Sequence, residues 1–206
     1  MKTILIIISI FLFQINSLVI FSQNTMLLTN GKKITIGQYK IGNNNILAYK
    51  NKKDKLKNIE LEDVFSIVEK SGNEKIFYKS DSTNKEYFTV EQMRYFIKGE
   101  NDAANNYKSP WTTVGGVIVG VGTVVSVPLV GLNSLYAPLL PIAYNSSVGL
   151  IQVKTEKLGI ESQYIDNKHY VLGYKKTAKQ KRITNSLFGS GIGIVVGIAA
   201  VFVIFN

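Results

Sequence analysis

The sequence predicts an α+β chain in which a small N-terminal β-meander or barrel and a short helix precede glycine-rich transmembrane helices. Three observations predict it. Residues 187–205 read LFGSGIGIVVGIAAVFVIF, uncharged, with Gly189, Gly193 and Gly197 at every fourth position. Residues 109–153 also carry no charge. Residues 24–80, by contrast, alternate short apolar runs with turn residues, the period-two signature of strands.

At 206 residues the chain has room for one domain or two small ones. Its hydrophobic content of 46% stands against only 18% charged residues, and the apolar residues are clustered, which points to a membrane. The net charge of +10 has two readings: anionic partners such as lipid headgroups or nucleic acid, or a lysine-rich composition alone. No cysteine is present, which excludes disulfides, thiolate metal sites and a lipidated N-terminal cysteine. His169 is the single histidine, so a histidine metal cluster is excluded and no cofactor is expected.

Residues 1–23 place Lys2 before the apolar run 4–13, the layout of a secretory signal peptide. Ser22 suits cleavage, but Ile20 does not, so an uncleaved anchor over residues 4–21 stands as the alternative. Either way the chain after Gln23 is expected outside the cytoplasm. Residues 24–88 form the small β-domain. Asn30-Gly31 is a tight-turn dipeptide because both residues tolerate positive φ. Gly42 with three asparagines, the charged loop 51–57 and Ser71-Gly72-Asn73 separate further short strands, five or six in all. Glu60 and Glu62, two apart on a strand, would share a face. Lys55 and Lys57 nearby make them a solvated edge rather than an acid–base pair.

Leu28, Asn30-Gly31-Lys32, Gly37, Ile41, Ile46 and Tyr49 together resemble the first motif of SH3-like or Sm-like small barrels, where a glycine lets the second strand bend. The resemblance implies the barrel topology. The RNA-contacting second motif of the Sm-like family has no counterpart in residues 63–78, so RNA binding is not carried over.

Residues 89–108 predict an amphipathic helix. Thr89 and Gln92 make a capping box, with Phe88 and Met93 at the positions of a hydrophobic staple. In residues 109–153, Trp111 suits a membrane interface, and Gly116 and Gly120 clear a helix face for a close neighbour. The proline- and asparagine-bearing second half is either the return arm of a hairpin, turning near Asn133-Ser134, or a re-entrant segment after a single span.

Residues 154–186 make a basic loop, eight Lys or Arg against three acids. Lys175, Lys176, Lys179, Lys181 and Arg182 are candidate contacts for anionic lipid, each worth about 1 kcal/mol near a charged surface. The positive-inside rule favours a cytoplasmic loop and hence one preceding span, whereas a hairpin puts it outside. Tyr170 and Tyr174 share a helix face, as interfacial aromatics would. His169 reads as a lone surface histidine.

Residues 187–205 form the C-terminal transmembrane helix, about 28 Å long. The predicted helix-packing residues are Gly116, Gly120, Gly189, Gly193 and Gly197. An internal echo accompanies them: Tyr95, Gly99 and Ala103 precede the first glycine run, and Tyr170, Gly173 and Ala178 precede the last.

The order of these parts is similar to that of uncharacterised bacterial exported proteins with a short β-domain and glycine-zipper C-terminal spans. The expectation is a non-enzymatic integral membrane protein of a bacterial cell envelope, its N-terminal domain outside the cytoplasm. Its expected partners are a bilayer with anionic headgroups and a second copy or another membrane protein, not nucleic acid. A pore-forming or membrane-permeabilising protein is the alternative. No nucleophile–base pair, metal-ligand spacing or phosphate-binding loop points to an enzyme.

Overall fold

The computed structural model describes residues 23–42, 44–80, 88–130, 138–152, 155 and 159–205. The expected signal or anchor segment through residue 22 and the expected turn at Asn133-Ser134 lie outside them. The chain is α+β and divides into two compact units, Met1–Lys79 and Ser80–Asn206.

In the first unit the strands are β1 (Asn24–Leu28), β2 (Lys33–Ile36), β3 (Tyr39–Ile41), β4 (Ile46–Lys50), β5 (Leu56–Glu60), β6 (Val64–Val68) and β7 (Glu74–Ile76). They form two antiparallel sheets, ordered β2-β1-β6-β7 and β3-β4-β5. Gly37 and Gln38 interrupt what would otherwise be one strand, so β2 belongs to the first sheet and β3 to the second.

Alternation decides the register, because slipping one residue would turn every core side chain outward. Met26 stands opposite Ile34 and Ile67, and Leu47 opposite Ile41 and Ile59. One core draws on both sheets: Met26, Leu28, Ile36, Leu47, Tyr49, Val64 and Ile67. Burying each large side chain in it contributes about 1.5–3 kcal/mol.

The turns follow their sequence chemistry. Gly31 takes φ 80° and Asn30 Oδ1 accepts from Lys32 N at 3.1 Å, while Gly72 takes φ 86°. One expectation is corrected. Leu61–Asp63 is a 3-10 turn after β5, so Glu62 has left the strand and shares no strand face with Glu60.

The second unit has four helices among the described residues: α1 (Val90–Asn106), α2 (Pro110–Val130), α3 (Leu139–Leu150) and α4 (Lys168–Phe205). The capping box opens α1: Thr89 Oγ1 accepts from Gln92 N at 3.2 Å, and Gln92 Oε1 accepts from Thr89 N at 2.9 Å. Between α1 and α2 the path bends by 62°. Pro110 restarts the helix at its first position, where a missing N–H costs nothing.

The basic stretch, expected as a loop to residue 186, is helical from Lys168 onward. Asn167 starts it, its Oδ1 accepting from His169 N at 3.1 Å and Tyr170 N at 3.0 Å. No glycine or proline interrupts residues 174–188, so the lysine-rich and apolar segments form one continuous helix, about 57 Å long.

Helix α3 runs against α2 and α4. Pro138 and Pro141 near its start line one pocket with Thr123 and Ile194, while the Val148 and Ile151 carbonyls at its end accept from Arg182. At about 18 Å it is shorter than a bilayer's hydrocarbon layer.

Candidate functional site

The distinctive chemistry of the second unit is a backbone seam between the bent α1–α2 path and α4. A methyl group built on Gly116 would collide with Ser186 O, and one on Gly189 with Thr113 O. Gly120 faces Ser190 O in the same way, and Gly193 faces Val117 O. Below the bend Gly99 lies on Tyr170 O and Gly173 on Phe96 O. In each pair the oxygen belongs to the residue three before the other glycine. The two paths are therefore parallel and related by an approximate internal two-fold, with Cα–H···O contacts where side chains would otherwise stand.

The pairs are 74 residues apart below the bend (99 and 173) and 73 above it (116 and 189, 120 and 193). The extra residue falls where α1 gives way to α2. At Gly197 a Cβ would stand 2.9 Å from Val124 Cβ, again 73 residues earlier. All five glycines named for helix packing thus lie on this intramolecular seam, together with Gly99 and Gly173, which the packing list lacks. Gly99-x-x-x-Ala103, noted only as part of the echo, is the signal that would have found them.

The side chains facing away from the seam are large and apolar. Phe188, Val195, Ile198, Phe202 and Val203 of α4 are exposed, as are Trp111 and Ile118 of α2 and Leu139, Leu140 and Ile142 of α3. By length and composition Lys168–Val203 is long enough and apolar enough to cross a membrane, and the bent α1–α2 pair would make a second span if taken as one. Only 28% of the apolar window of α4 is buried, whereas the core helix of a soluble protein would hide most of it.

Three of the five basic residues are engaged within the unit. Arg182 is buried; its Nη1 donates to Ile151 O at 2.9 Å and its Nη2 to Val148 O at 2.7 Å, closing the C-terminus of α3. Lys181 Nζ donates to Ala104 O at 2.8 Å, at the C-terminal end of α1. Both meet helix ends whose free carbonyls carry partial negative charge. Lys176 Nζ pairs with Glu100 Oε1 at 2.8 Å and lies over the Phe96 ring. Lys175 and Lys179 remain exposed, bordering with Arg182 and Gln152 a pocket of about 320 Å³.

Tyr170 and Tyr174 are buried against α1 rather than exposed at an interface, with Tyr170 Oη donating to Asp102 Oδ2 at 2.8 Å. Tyr164 stacks on Tyr170. His169 is half-buried, its ring edge-on to Phe88 at 5.1 Å. No group of three His, Cys, Asp or Glu residues placed to hold a metal ion occurs among the described residues.

No protein-family model, curated protein or solved structure matches the chain.

Proposed function

We propose that the chain is a non-enzymatic integral membrane protein of a bacterial envelope, in which a glycine-seamed helical unit sits in the bilayer and carries the small β-domain on one side. One observation carries this reading: in the helical unit glycine and serine line the packed face while large apolar side chains face out. Water would penalise that arrangement; lipid tails would not. Carbonate extraction of membranes tests it, with the full-length protein expected in the pellet and release into the soluble fraction overturning it.

The reciprocal seam supports association within one chain rather than between copies, because its glycines already have partners. The antiparallel course of α3 favours the hairpin over a single crossing, with residues 159–182 on the side where α2 begins. The conflict with the positive-inside rule then has a physical answer: Lys176, Lys181 and Arg182 serve a carboxylate and two helix ends. Lys175 and Lys179 are the pair left to meet anionic headgroups. Cysteine probes at Asn73 and Ser162 are expected to react from the same side; labelling of Asn73→Cys alone from outside would restore the single crossing. The two sheets joined at the Gly37 bend around one core support the small-barrel reading of the displayed domain.

A further inference from the structure

We propose that the helical unit binds an uncharged, hydroxyl-bearing amphiphile in a chamber between α2, α3 and α4. The chamber is about 390 Å³, with Thr123, Asn145 and Ser190 as its polar groups and Pro141, Leu187 and Ile194 among its apolar walls. That is the size of a small-molecule site and many times the roughly 30 Å³ share of one water.

Ser190 carries the argument. It is 3% exposed, lines the chamber, and its Oγ has no hydrogen-bond partner among the described residues. Asn145 Oδ1 is likewise buried without a partner among the described residues. Hydroxyls in apolar helices ordinarily bond back to their own backbone. Ser186 does so with Ile183 O at 2.9 Å, and Thr123 with Val119 O at 2.7 Å. Ser190 does not. Two unmet polar atoms on residues that line one cavity, each within a side-chain rotation of it, call for a partner supplied from outside the chain.

The residues present restrict its chemistry. Asn145 Oδ1 can only accept, the Thr123 oxygen has donated its proton, and the Ser190 hydroxyl can do either. The occupant therefore needs a donor. No charged side chain lines the chamber, so the occupant is neutral. A hydroxyl meets both demands, and the apolar walls take its hydrocarbon part. The inference rests on the membrane reading only for how such a molecule arrives.

The test is photolabelling of the full-length protein in phosphatidylcholine nanodiscs with a diazirine-bearing 1-octanol. Adducts are expected in peptides covering residues 138–145 and 187–194, displaced by 1-octanol and not by octane. Ser190→Ala should lower labelling by about 3–10-fold, the value of one neutral hydrogen bond. Gly191 lines the chamber, and a Cβ there meets nothing within 4 Å. Gly191→Leu should therefore fill the space and abolish labelling while leaving the seam intact.

Adducts unchanged by Gly191→Leu, or octane competing as well as octanol, would overturn the proposal. Solvent extraction of the purified protein separates the sources. A neutral hydroxyl lipid enriched over the bulk membrane, and lost in Gly191→Leu, identifies a membrane constituent. Octanol labelling without such a lipid identifies a ligand taken up from solution. Release by carbonate would fail the membrane reading; indifferent labelling in an unextractable protein fails this one alone.

Discussion

The two units of this chain solve opposite packing problems. In the β-unit Met26, Leu47, Phe65 and Ile67 are wholly buried while lysines and asparagines occupy the loops, so its stability comes from removing large apolar surface from water. In the helical unit Phe188, Phe202 and Val203 face outward and Gly116, Gly120, Gly189 and Gly193 face inward. There the helices gain dispersion contact and Cα–H···O geometry from backbone proximity, and the large apolar side chains that a water-soluble core would hide are left on the outside. One polypeptide thus carries two rules for reading an apolar residue: core in the first unit, outer surface in the second.

That contrast is most exposed to test at the seam. Gly120→Leu puts a side chain where Ser190 O already lies, and overpacking a backbone contact of this kind should cost about 3 kcal/mol. Gly122→Leu, whose Cβ meets nothing within 4 Å, should be nearly neutral. Thermal melts of the two variants in the same bilayer mimic check the difference, and equal melts would remove the seam as the organising contact.

Val195 asks which solvent the outer face meets. It is 68% exposed. A lysine there should cost about 2.5–3.5 kcal/mol if the site lies near the bilayer centre, and almost nothing if it faces water. Membrane-fraction yield of Val195→Lys against Val195→Ala reads this directly. Full yield of the lysine variant would bring the two units under a single rule.

Within the helical unit the basic residues divide by partner. Arg182→Ala leaves the Val148 carbonyl without this partner in a buried setting, and the Ile151 carbonyl in a partly buried one, and should destabilise the unit by about 2 kcal/mol in any lipid. Replacing the exposed Lys175 and Lys179 by alanine should leave stability in neutral lipid unchanged. Only the additional stability from anionic lipid should fall, by about 1 kcal/mol per lysine. Vesicle series differing in anionic content separate the two outcomes.

Legibility in the sequence followed the same division. Strands, turns and the capping box of α1 rest on local rules that act within a few residues, so Asn30-Gly31, Gly72 and Thr89–Gln92 were readable directly. The glycine spacing of the last helix was readable too. Its partner was not, because a small residue every fourth position announces a close approach without naming the approaching backbone. Arg182 was missed as a helix cap for the same reason: charge is visible in a sequence, but a carbonyl cluster 31 residues away is not. Asn167 was readable as a cap and was obscured by the surrounding charge. Glu62 was misplaced because a 3-10 turn leaves no mark in a period-two pattern.

The smallest expected effect lies in the β-unit, where Tyr39 Oη donates to Glu69 Oε1 at 2.9 Å and ties β3 of one sheet to the end of β6 in the other. Burial, and then the neighbouring Glu69 carboxylate, hold the Tyr39 hydroxyl above its ordinary pKa of 10.0. The folded state therefore keeps this proton more tightly than the unfolded chain does. The stabilisation is complete below the unfolded value and is lost as pH rises through the folded one. Tyr39→Phe should accordingly lower stability by about 1 kcal/mol at neutral pH. The gap between wild type and variant should stay constant up to about pH 9 and close above about pH 10. Because the chain has no cysteine, a fluorophore on Ser71→Cys reports urea unfolding of this unit alone. A gap that persisted undiminished to the highest pH would show that the hydroxyl's contribution does not depend on the proton shared with Glu69, and would remove this hydrogen bond as the tie between the two sheets.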